Sequence, residues 1–371
     1  MFWRRFSAGL VVMTVGLVIV QAQQAIAQQS VITNRGVVEI ETGSAAGISV
    51  RIVEDLANLV DDGATRRVLP VVGKGSLQNL TDLRYLRGID MAILQTDVLD
   101  YTKELQLSPE LNASLTYVTK LYNEELHLLA RADIKDVRDL ANQKVNIDLR
   151  ASGTAVTATR IFKFLNVPIT ATNDTQEAAL EKLRRGEIAA LAFVVGKPAA
   201  LFASLKGDSG FHLLDIPMNR AISNAYIPTR FTATDYPGLI NPDRPIDSIA
   251  VGNVLAVAEL RQLPERSRSV ANFVEVFFTE FQSLLKPGHH PKWNEVNIAA
   301  ELPGWRRYGP ADQWLQRNMQ IVKTPSTESL QAMFSRFVDE RRQAMGAATM
   351  SQQDKDALFQ QFRSWQRNQS Q

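Results

Sequence analysis

The sequence predicts an α/β protein with largely parallel sheets, because strand-like and helix-like segments alternate along the chain. An apolar strand pattern at residues 37–42 is followed by a glycine turn and then by an amphipathic helix pattern at residues 48–59. The same succession of strand, turn and helix begins again at residues 68–72 and at residues 91–94. Residues 188–195 are almost entirely apolar, which is typical of a strand buried on both faces.

The first 27 residues have the pattern of a secretory signal peptide. Arg4 and Arg5 precede an apolar run, and Ala25-Ile-Ala27 fits a small-x-small cleavage site. The run is short for a membrane-spanning helix, although an uncleaved anchor is the alternative. We therefore expect residues 1–27 to be removed, and the mature protein to be periplasmic and not membrane-spanning.

Length, composition and charge limit the class of protein. The chain has 371 residues, enough for two or three domains, and its 45% hydrophobic and 22% charged content is typical of soluble globular proteins. There is no cysteine, which excludes a disulfide framework and a thiolate metal site. Without the signal peptide, basic and acidic residues are equal in number, which argues against bulk binding of nucleic acid.

Three further segments are predicted from local patterns. Residues 115–118 and 125–130 have the patterns of two separate strands. Residues 218–247 are rich in Pro, Asn and Thr and are predicted to be connecting loops. Residues 287–371 hold four of the five tryptophans and are predicted to form a helical C-terminal extension.

Small or polar turns follow several predicted strands and supply candidate binding residues. In open α/β sheets, ligands bind beyond the carboxyl ends of the strands. A helix that begins there offers unpaired N–H groups and a partial positive charge to an anion. The candidate ligand-binding residues are Ser44, Gly47, Lys74, Gly75, Ser76, Gln95, Asp97, Arg150, Ser152, Gly153, Thr154 and Lys197.

The types of these residues suggest their roles. Lys74, Arg150 and Lys197 could supply positive charge, and the guanidinium of Arg150 could make a forked pair with a carboxylate. Gln95 could donate or accept a hydrogen bond, and Asp97 could take an ammonium or cap a helix. These groups together favour a small anionic ligand.

Each turn also has an ordinary explanation. Glycine and serine before a helix are common caps, and either Ser152 or Thr154 could cap the helix that follows them. Asp97 is expected to be a helix cap first and a ligand contact second. The binding hypothesis therefore rests on the recurrence of such turns in order.

That ordered set of turns resembles the TAXI family of TRAP-transporter solute receptors. The resemblance extends over residues 37–257 and lies in Gly43-Ser-Ala-Ala-Gly47, Gly73-Lys-Gly-Ser-Leu-Gln-Asn-Leu80, Ile93-Leu-Gln-Thr-Asp97, Ile134-Lys-Asp-Val-Arg-Asp-Leu140, Lys144-Val-Asn-Ile with Ser152-Gly-Thr154, and Leu183-Arg-Arg-Gly-Glu-Ile188. It implies a type II periplasmic-binding-protein fold, with two α/β lobes that close about a hinge on a small carboxylate-bearing solute. It also implies delivery of the solute to TRAP membrane subunits.

The resemblance divides the chain into lobes. Lobe I is expected to comprise residues 28–133 and 218–286, and lobe II residues 134–217, with the crossings of the hinge near Arg131 and Pro217. Residues 287–371 fall outside the family pattern. We refer to the two lobes by these names below.

The chain departs from the TAXI pattern in two binding loops. Ile48-Ser-Val50 stand where the family's first loop usually continues through tyrosine, so an aromatic ligand contact is in doubt. Lys74 replaces the first glycine of the usual Gly-Gly-Ser loop. A cation at that point would favour more anionic solutes.

The sequence favours a non-catalytic receptor for a carboxylate or an acidic amino acid, with no cofactor and no metal. Gly207-Asp-Ser-Gly210 is similar to a protease nucleophile loop, but the flanking motifs are missing and His127 is the only histidine upstream of it. His289 and His290 are adjacent and lack further ligands at metal-site spacing. The alternative function is a periplasmic sensor or interaction protein on the same scaffold, signalling through its C-terminal extension.

Overall fold

The computed structural model describes residues 36–45, 47–107, 115–203, 205, 210–258 and 263–318. The expected signal peptide lies outside them, as does the greater part of the expected extension. Residues up to Asp312 form one compact unit, and residues from Gln313 onward form a second. Of the second unit, only residues 313–318 are described.

Ten strands of the described residues form one sheet. In chain order, β1 to β10 are Val37–Thr42, Arg67–Val72, Met91–Gln95, Thr116–Arg131, Lys144–Asn146, Thr170–Thr172, Ala190–Val195, Phe211–Leu213, Ile227–Phe231 and Ile246–Val257. The order across the sheet is β2-β1-β3-β10-β4-β7-β5-β6, with β9 beside β10 and β8 beside β4.

The strand order repeats itself in the two lobes. In lobe I, β2, β1 and β3 are parallel and β10 pairs with β3 antiparallel. In lobe II, β6, β5 and β7 are parallel and β4 pairs with β7 antiparallel. Each lobe therefore contains three parallel strands and one antiparallel strand that crosses from the other lobe. This is the expected type II periplasmic-binding-protein fold.

Helices follow the strands and cover the sheet. In chain order, α1 to α10 are Ser49–Val60, Ser76–Tyr85, Val98–Glu104, Gly153–Phe164, Gln176–Arg184, Ala200–Ala203, Arg220–Ala225, Pro264–Thr279, Phe281–Leu284 and Gly309–Arg317, with 3₁₀ helices at Val137–Leu140 and Pro291–Glu295. Helix α1 buries Ile52, Val53, Leu56 and Val60, so the predicted helix is present with a slightly rotated buried face.

The prediction of two separate strands at residues 115–130 is wrong, because β4 is one continuous strand. Its first part pairs with β10, and its last part pairs with β7. Glu125 is the residue at which the two pairings meet, and its partner on β10 is Ala250. The chain therefore crosses between the lobes near Glu125 and Ala250 rather than near Arg131 and Pro217.

Residues 218–247 are not all connecting loops, because they contain α7 and β9. Strand β9 includes Pro228 and pairs only with β10 among the described strands, so the missing N–H is tolerated at this edge. Ile222 and Tyr226 belong to one hydrophobic core of lobe II, and Phe231 and Tyr236 belong to the core on its other side. This segment therefore packs with lobe II, which differs from the boundary expected at residues 217 and 218.

The first part of the expected extension packs on the described strands and helices before it. Trp293 is fully buried against Phe277 and Phe281, and its Nε1 donates to Asp55 at 2.8 Å. Trp305 packs against the core of lobe I. Residues 287–308 therefore behave as part of the folded body.

Candidate functional site

A small cavity of about 50 Å³ lies where the two lobes meet. It is lined by Gly43, Ser44, Gly47, Ser49, Lys74, Gly75, Ser76, Ile93, Gln95, Glu124, Asp148, Ser152, Gly153, Thr154, Phe193, Val194 and Asn253. The lining comes from the carboxyl ends of the parallel strands, from the helix starts that follow them, and from both crossing strands. Strand ends of this kind are the usual ligand position in open α/β sheets.

Three polar side chains on neighbouring strands form what we call the cavity floor: Gln95, Asn253 and Glu124. Gln95 ends β3 and is paired with Asn253 of β10, and β10 lies beside β4, which carries Glu124. The register of β10 against β4 shifts between Gly252 and Val254, so Asn253 lies in a bulge. Bulges re-aim side chains next to sites, and this one accounts for a buried asparagine on an otherwise apolar strand.

The carboxyl group of Glu124 is the central charged group of the floor. Glu124 is 8% exposed, and its Oε2 accepts a hydrogen bond from Gln95 Nε2 at 3.1 Å. Burial raises the pKa of Glu124 to about 7. Hydrogen bonding from the side-chain amides of Gln95 and Asn253 lowers this pKa, but by less than burial raises it. The carboxyl group is therefore divided between its neutral and charged forms near neutral pH.

The two loops of lobe I are held by their own polar side chains. Gly43 N–H donates to Ser49 Oγ at 2.8 Å, which fixes the first turn. Gly75 has φ +116°, and its N–H donates to Asn79 Oδ1 at 3.1 Å. Ser76 Oγ accepts from the backbone N–H of Gln95 at 2.8 Å, so the second loop is tied directly to the floor. Lys74, between these anchors, is exposed at the cavity edge.

The start of α4 forms the lobe II wall of the cavity. Ser152 caps the helix, since its Oγ accepts from the N–H of Ala155 at 3.1 Å. Thr154 is not the cap, because its Oγ1 accepts from the N–H of Val194 at 3.0 Å and so joins α4 to β7. The first N–H groups of a helix have no acceptor within it. At α4 they belong to Gly153 and Thr154, both of which line the cavity.

The lobes touch at the edge of the cavity. The N–H groups of Leu77 and Gln78, at the start of α2, donate to the carbonyl of Ala151 at 3.2 and 3.1 Å. A Cβ atom added to Gly75 would lie 2.9 Å from the nitrogen of Gly153. Two N–H groups of the α2 terminus are therefore used by lobe II, whereas the first residues of α4 line the cavity.

The cavity brings together nine of the twelve residues predicted from the sequence: Ser44, Gly47, Lys74, Gly75, Ser76, Gln95, Ser152, Gly153 and Thr154. The other three, Asp97, Arg150 and Lys197, are not in its lining. Arg150 is exposed to solvent. Lys197 is turned to its own lobe, where its Nζ donates to the carbonyl of Arg230 at 2.6 Å.

Asp97 occupies the N-cap position before α3, but its side chain makes no cap hydrogen bond, which corrects the expectation of a helix cap. Its Oδ2 accepts from the hydroxyl groups of Thr157 and Tyr226, both at 2.8 Å. Arg160 donates to Tyr226 at 3.3 Å and to Glu104 at 3.0 Å. Burial raises the pKa of Asp97, while its two hydroxyl donors and the charge of Arg160 lower it. We call these five residues the interlobe network, because Asp97 and Glu104 come from lobe I and the others pack with lobe II.

A second buried pair lies beside the floor at the crossing of β4. Glu125 is 5% exposed and accepts from Lys292 Nζ at 3.2 Å and from the N–H of Lys197 at 2.9 Å. Lys292 Nζ also donates to the carbonyl of Asn123 at 2.8 Å. The segment after α9 thus compensates one of the two adjacent glutamates of β4, and Glu124 is left to the cavity.

His127 is fully buried in β4 and does not reach the cavity lining. Its Nε2 is 2.5 Å from the hydroxyl oxygen of Tyr236, and burial lowers its pKa to about 4. Residues 207–209 of the loop that resembles a protease motif lie outside the described residues. His127 is therefore a neutral, hydrogen-bonded core residue.

Sequence reasoning missed Glu124, Asp148 and Asn253. The pair Glu124-Glu125 interrupts an apolar strand pattern, and Asn253 interrupts another, so a buried-polar signal was present at both. Asp148 lies two residues after the end of β5, at a strand end like those of the predicted turns. Burial raises the pKa of Asp148, although hydrogen bonds from Leu149 and Ser152 lower it.

The described residues contain neither a metal-ligand cluster nor a helix suited to crossing a membrane. No group of three or more His, Cys, Asp or Glu side chains there is arranged to hold a metal ion. Nor does any helix in that part of the chain combine the length and the apolar character that crossing a bilayer requires.

A protein-family model described as the NMT1-like family matches residues 40–295, which is more than half of the chain. The matched range begins in β1 and ends with the 3₁₀ helix at Pro291–Glu295. It therefore includes both lobes and every residue of the cavity lining.

Solved structures give weaker similarities. The alkanesulfonate-binding protein SsuA from Xanthomonas axonopodis pv. citri, bound to MOPS, is 13% identical with a TM-score of 0.42, and the match covers 82% of this chain and 93% of that one. A TctC solute binding protein from Polaromonas is 15% identical with a TM-score of 0.37, covering 66% and 88%. The substrate binding protein of an amino acid ABC transporter is 15% identical with a TM-score of 0.40, covering 70% and 96%. Similarities at this level do not identify a ligand for this chain.

Proposed function

The chain belongs to the NMT1-like family, and we propose that it is a receptor whose two lobes close on a small solute bearing a carboxylate. The observation that carries this proposal is the composition of one cavity. Gly153 and Thr154 of lobe II and Lys74 of lobe I line the same space. A closed arrangement of the lobes thus collects the groups that an anion requires.

The anionic end of the solute is assigned to the start of α4. The N–H groups at a helix start and the positive end of the helix dipole both favour a carboxylate. Gly153 has no side chain, which lets the Gln95 amide pack against the helix start while the Gly153 backbone lines the cavity. Lys74, next to Gly75 in lobe I, adds one positive charge at the cavity edge.

Export to the periplasm and delivery to TRAP membrane subunits complete the proposed function. Residues 1–27 have a signal-peptide pattern, and the turns of the cavity are those that resemble the TAXI receptors. Sequencing the N-terminus of the protein from its host would test export, since we expect it to start near Gln28. An intact Met1 in a cytosolic fraction would contradict it.

Thermal unfolding with matched solutes tests the ligand class. The probes are propionate, succinate, L-alanine and L-aspartate, with propionamide and glucose as uncharged controls. We expect at least one carboxylate to raise the melting temperature, because a ligand at one hundred times its Kd stabilises the folded state by about 2.7 kcal/mol. A shift with glucose or propionamide, and with none of the carboxylates, would overturn the proposal.

A further inference from the structure

The floor of the cavity carries groups that a carboxylate does not need. Asn253 is 3% exposed and lines the cavity, with its side-chain amide beside Glu124. Hydrogen bonding from this amide and from Gln95 lowers the pKa of the Glu124 carboxyl group. Both of these donors are neutral, so a buried carboxylate that lines the cavity is left without a positively charged partner bonded to it, and a ligand cation is one way to supply one.

The charges around the cavity are unequal. Its described lining holds two carboxyl groups, those of Glu124 and Asp148, and one ammonium, that of Lys74. A second carboxylate on the ligand would therefore face Glu124 at the floor and Asp148 on the lobe II side of the cavity. A protonated amine would instead find there the acceptors it needs.

Other charged groups act on Glu124 from neighbouring elements. Glu125, next to it on β4, raises the pKa of Glu124, and Lys292 lowers it. Lys292 is already paired with Glu125 and with Glu295, at 3.2 and 2.8 Å. Tyr122 is fully buried on the same strand, and its own pKa is raised well above the ordinary value, so it remains neutral. No cation of the described residues is hydrogen-bonded to Glu124, which accepts from the side-chain amide of Gln95 at 3.1 Å.

We propose that the cavity floor binds a protonated amine, so that the receptor selects small amino acids over dicarboxylates. Glu124 accepts from the ammonium, and the side-chain amides of Gln95 and Asn253 hold the carboxylate in place. The carboxylate of the same molecule lies at the start of α4. This inference rests on the proposed function and adds to it the chemistry of the other end of the ligand.

Proton linkage follows from this assignment. The pKa of Glu124 is about 7 in the ligand-free protein, because burial disfavours the charged form. An ammonium bound beside it favours the charged form and lowers that pKa. Binding near pH 6.5 therefore releases protons, and affinity falls as the pH is lowered. A second carboxylate in the same position would have the opposite effect, since it would raise the pKa and take up protons.

Isothermal titration calorimetry with two matched pairs of probes tests the selectivity. L-Alanine and propionate differ only in the amine, and so do L-aspartate and succinate. We expect the member that carries the amine to bind at least tenfold more tightly in each pair. Equal or tighter binding of succinate and propionate would overturn the inference while leaving the proposed carboxylate receptor intact. If no member of either pair binds, the proposed function fails as well.

Titration in two buffers of different ionisation enthalpy measures the protons released, and Glu124→Gln identifies their source. We expect proton release with the wild type, and in the variant both the release and the tenfold preference for the amine should be lost. Glu187→Gln is the matched control, because Glu187 lies on the surface of lobe II in an ion pair with Arg185. Unchanged proton release in Glu124→Gln, or proton uptake by the wild type, would contradict the assignment of Glu124.

Discussion

Helix α4 meets lobe I twice, and the two contacts are of different kinds. At its first turn, Gly153 lies against the Gln95 amide and next to Gly75, with the cavity between the lobes. One turn further on, Thr157 donates to Asp97 at 2.8 Å, and Arg160 pairs with Glu104. The first contact is made of small residues around a space, whereas the second is a network of polar side chains that are hydrogen-bonded to one another.

The difference shows how one helix can serve both binding and closure. Glycine at the first turn lets the Gln95 amide and Gly75 pack against the helix start, while the backbone of Gly153 and Thr154 lines the cavity. In the second contact the hydrogen-bond donors already have acceptors within the protein, so they are not available to bind a solute. On the proposed function, the interlobe network stabilises the closed arrangement and the first turn supplies the ligand contacts. The following predictions test this division of roles.

Removing the acceptor of the interlobe network should have the largest effect on stability. Asp97→Ala leaves the hydroxyl group of Tyr226 buried without its acceptor, and leaves Thr157 with only the longer bond to Gln95 Oε1 at 3.4 Å. We expect the free energy of unfolding to fall by about 3 kcal/mol, because buried polar groups that lose a partner keep their desolvation cost. Urea unfolding of the ligand-free protein measures it.

Tyr226→Phe is the matched control for that loss. It removes one donor and leaves the Asp97 carboxyl group with Thr157, so we expect a cost of about 1 kcal/mol. If both variants unfold at the wild-type urea concentration, the network does not contribute to the closed arrangement.

Replacing Glu124 of the cavity floor should raise the free energy of unfolding rather than lower it. The pKa of Glu124 is raised from 4.5 to about 7 by burial, so the folded protein holds a proton there that the unfolded chain has lost. Stability therefore falls as the pH rises from about 4.5 to about 7. Glu124→Gln removes this loss, and at pH 8 we expect the ligand-free variant to be more stable than the wild type by about 2 kcal/mol.

Unfolding curves between pH 4 and pH 8 check the Glu124→Gln prediction. The gain should vanish at pH 4, where the carboxyl group is neutral in both states. A variant that is less stable than the wild type at pH 8 would mean that Glu124 is compensated within the protein, as Asp97 is.

Adding a methyl group at the first turn of α4 should affect binding more than stability. The Cβ atom in Gly153→Ala would overlap the side-chain amide of Gln95 across the lobe contact. We expect carboxylate affinity to fall at least tenfold, about 1.4 kcal/mol, since the lobes can no longer close fully. Gly309→Ala is the control, because its added Cβ meets no atom of the described residues within 4 Å.

The smallest expected effect is a difference in carboxylate binding between variants of two exposed cations, Lys74 and Arg150. Lys74 lines the cavity, whereas Arg150 is exposed and outside its lining. Lys74→Ala should weaken carboxylate binding about fivefold, as expected for one solvated charge, and Arg150→Ala by less than twofold. The forked Arg150 pair expected from the sequence predicts the reverse order, and calorimetric titration of the two variants decides between them.

The cavity turns could be predicted from sequence because they depend on local patterns. A strand followed by glycine, serine or threonine and then by a helix places those residues at one edge of the sheet, wherever the other elements pack. Gly75, Ser76 and Gly153 meet at the cavity for this reason. Arg150 shared the same local pattern, but the direction of its side chain depends on the turn geometry around Ala151, which has φ +67°.

The remaining features depend on contacts between distant parts of the chain. Asp97 has the sequence of a helix cap, and its actual acceptor role requires Tyr226 from a segment 129 positions away. The local patterns predicted a break between residues 118 and 125. Strand β4 continues there because Lys292, from the segment after α9, compensates Glu125.

The NMR signals of backbone amides test most directly whether the first turn of α4 binds the carboxylate. The protein is titrated with the member of the propionate, succinate, L-alanine and L-aspartate set that binds most tightly. We predict large downfield shifts of the amide protons of Gly153 and Thr154, because these donors gain a charged acceptor. The amides of Thr157 and Arg160, one and two turns further along, should shift little. Shifts that are absent from Gly153 and Thr154, or larger at Thr157 and Arg160, would contradict the assignment of the cavity as the ligand site.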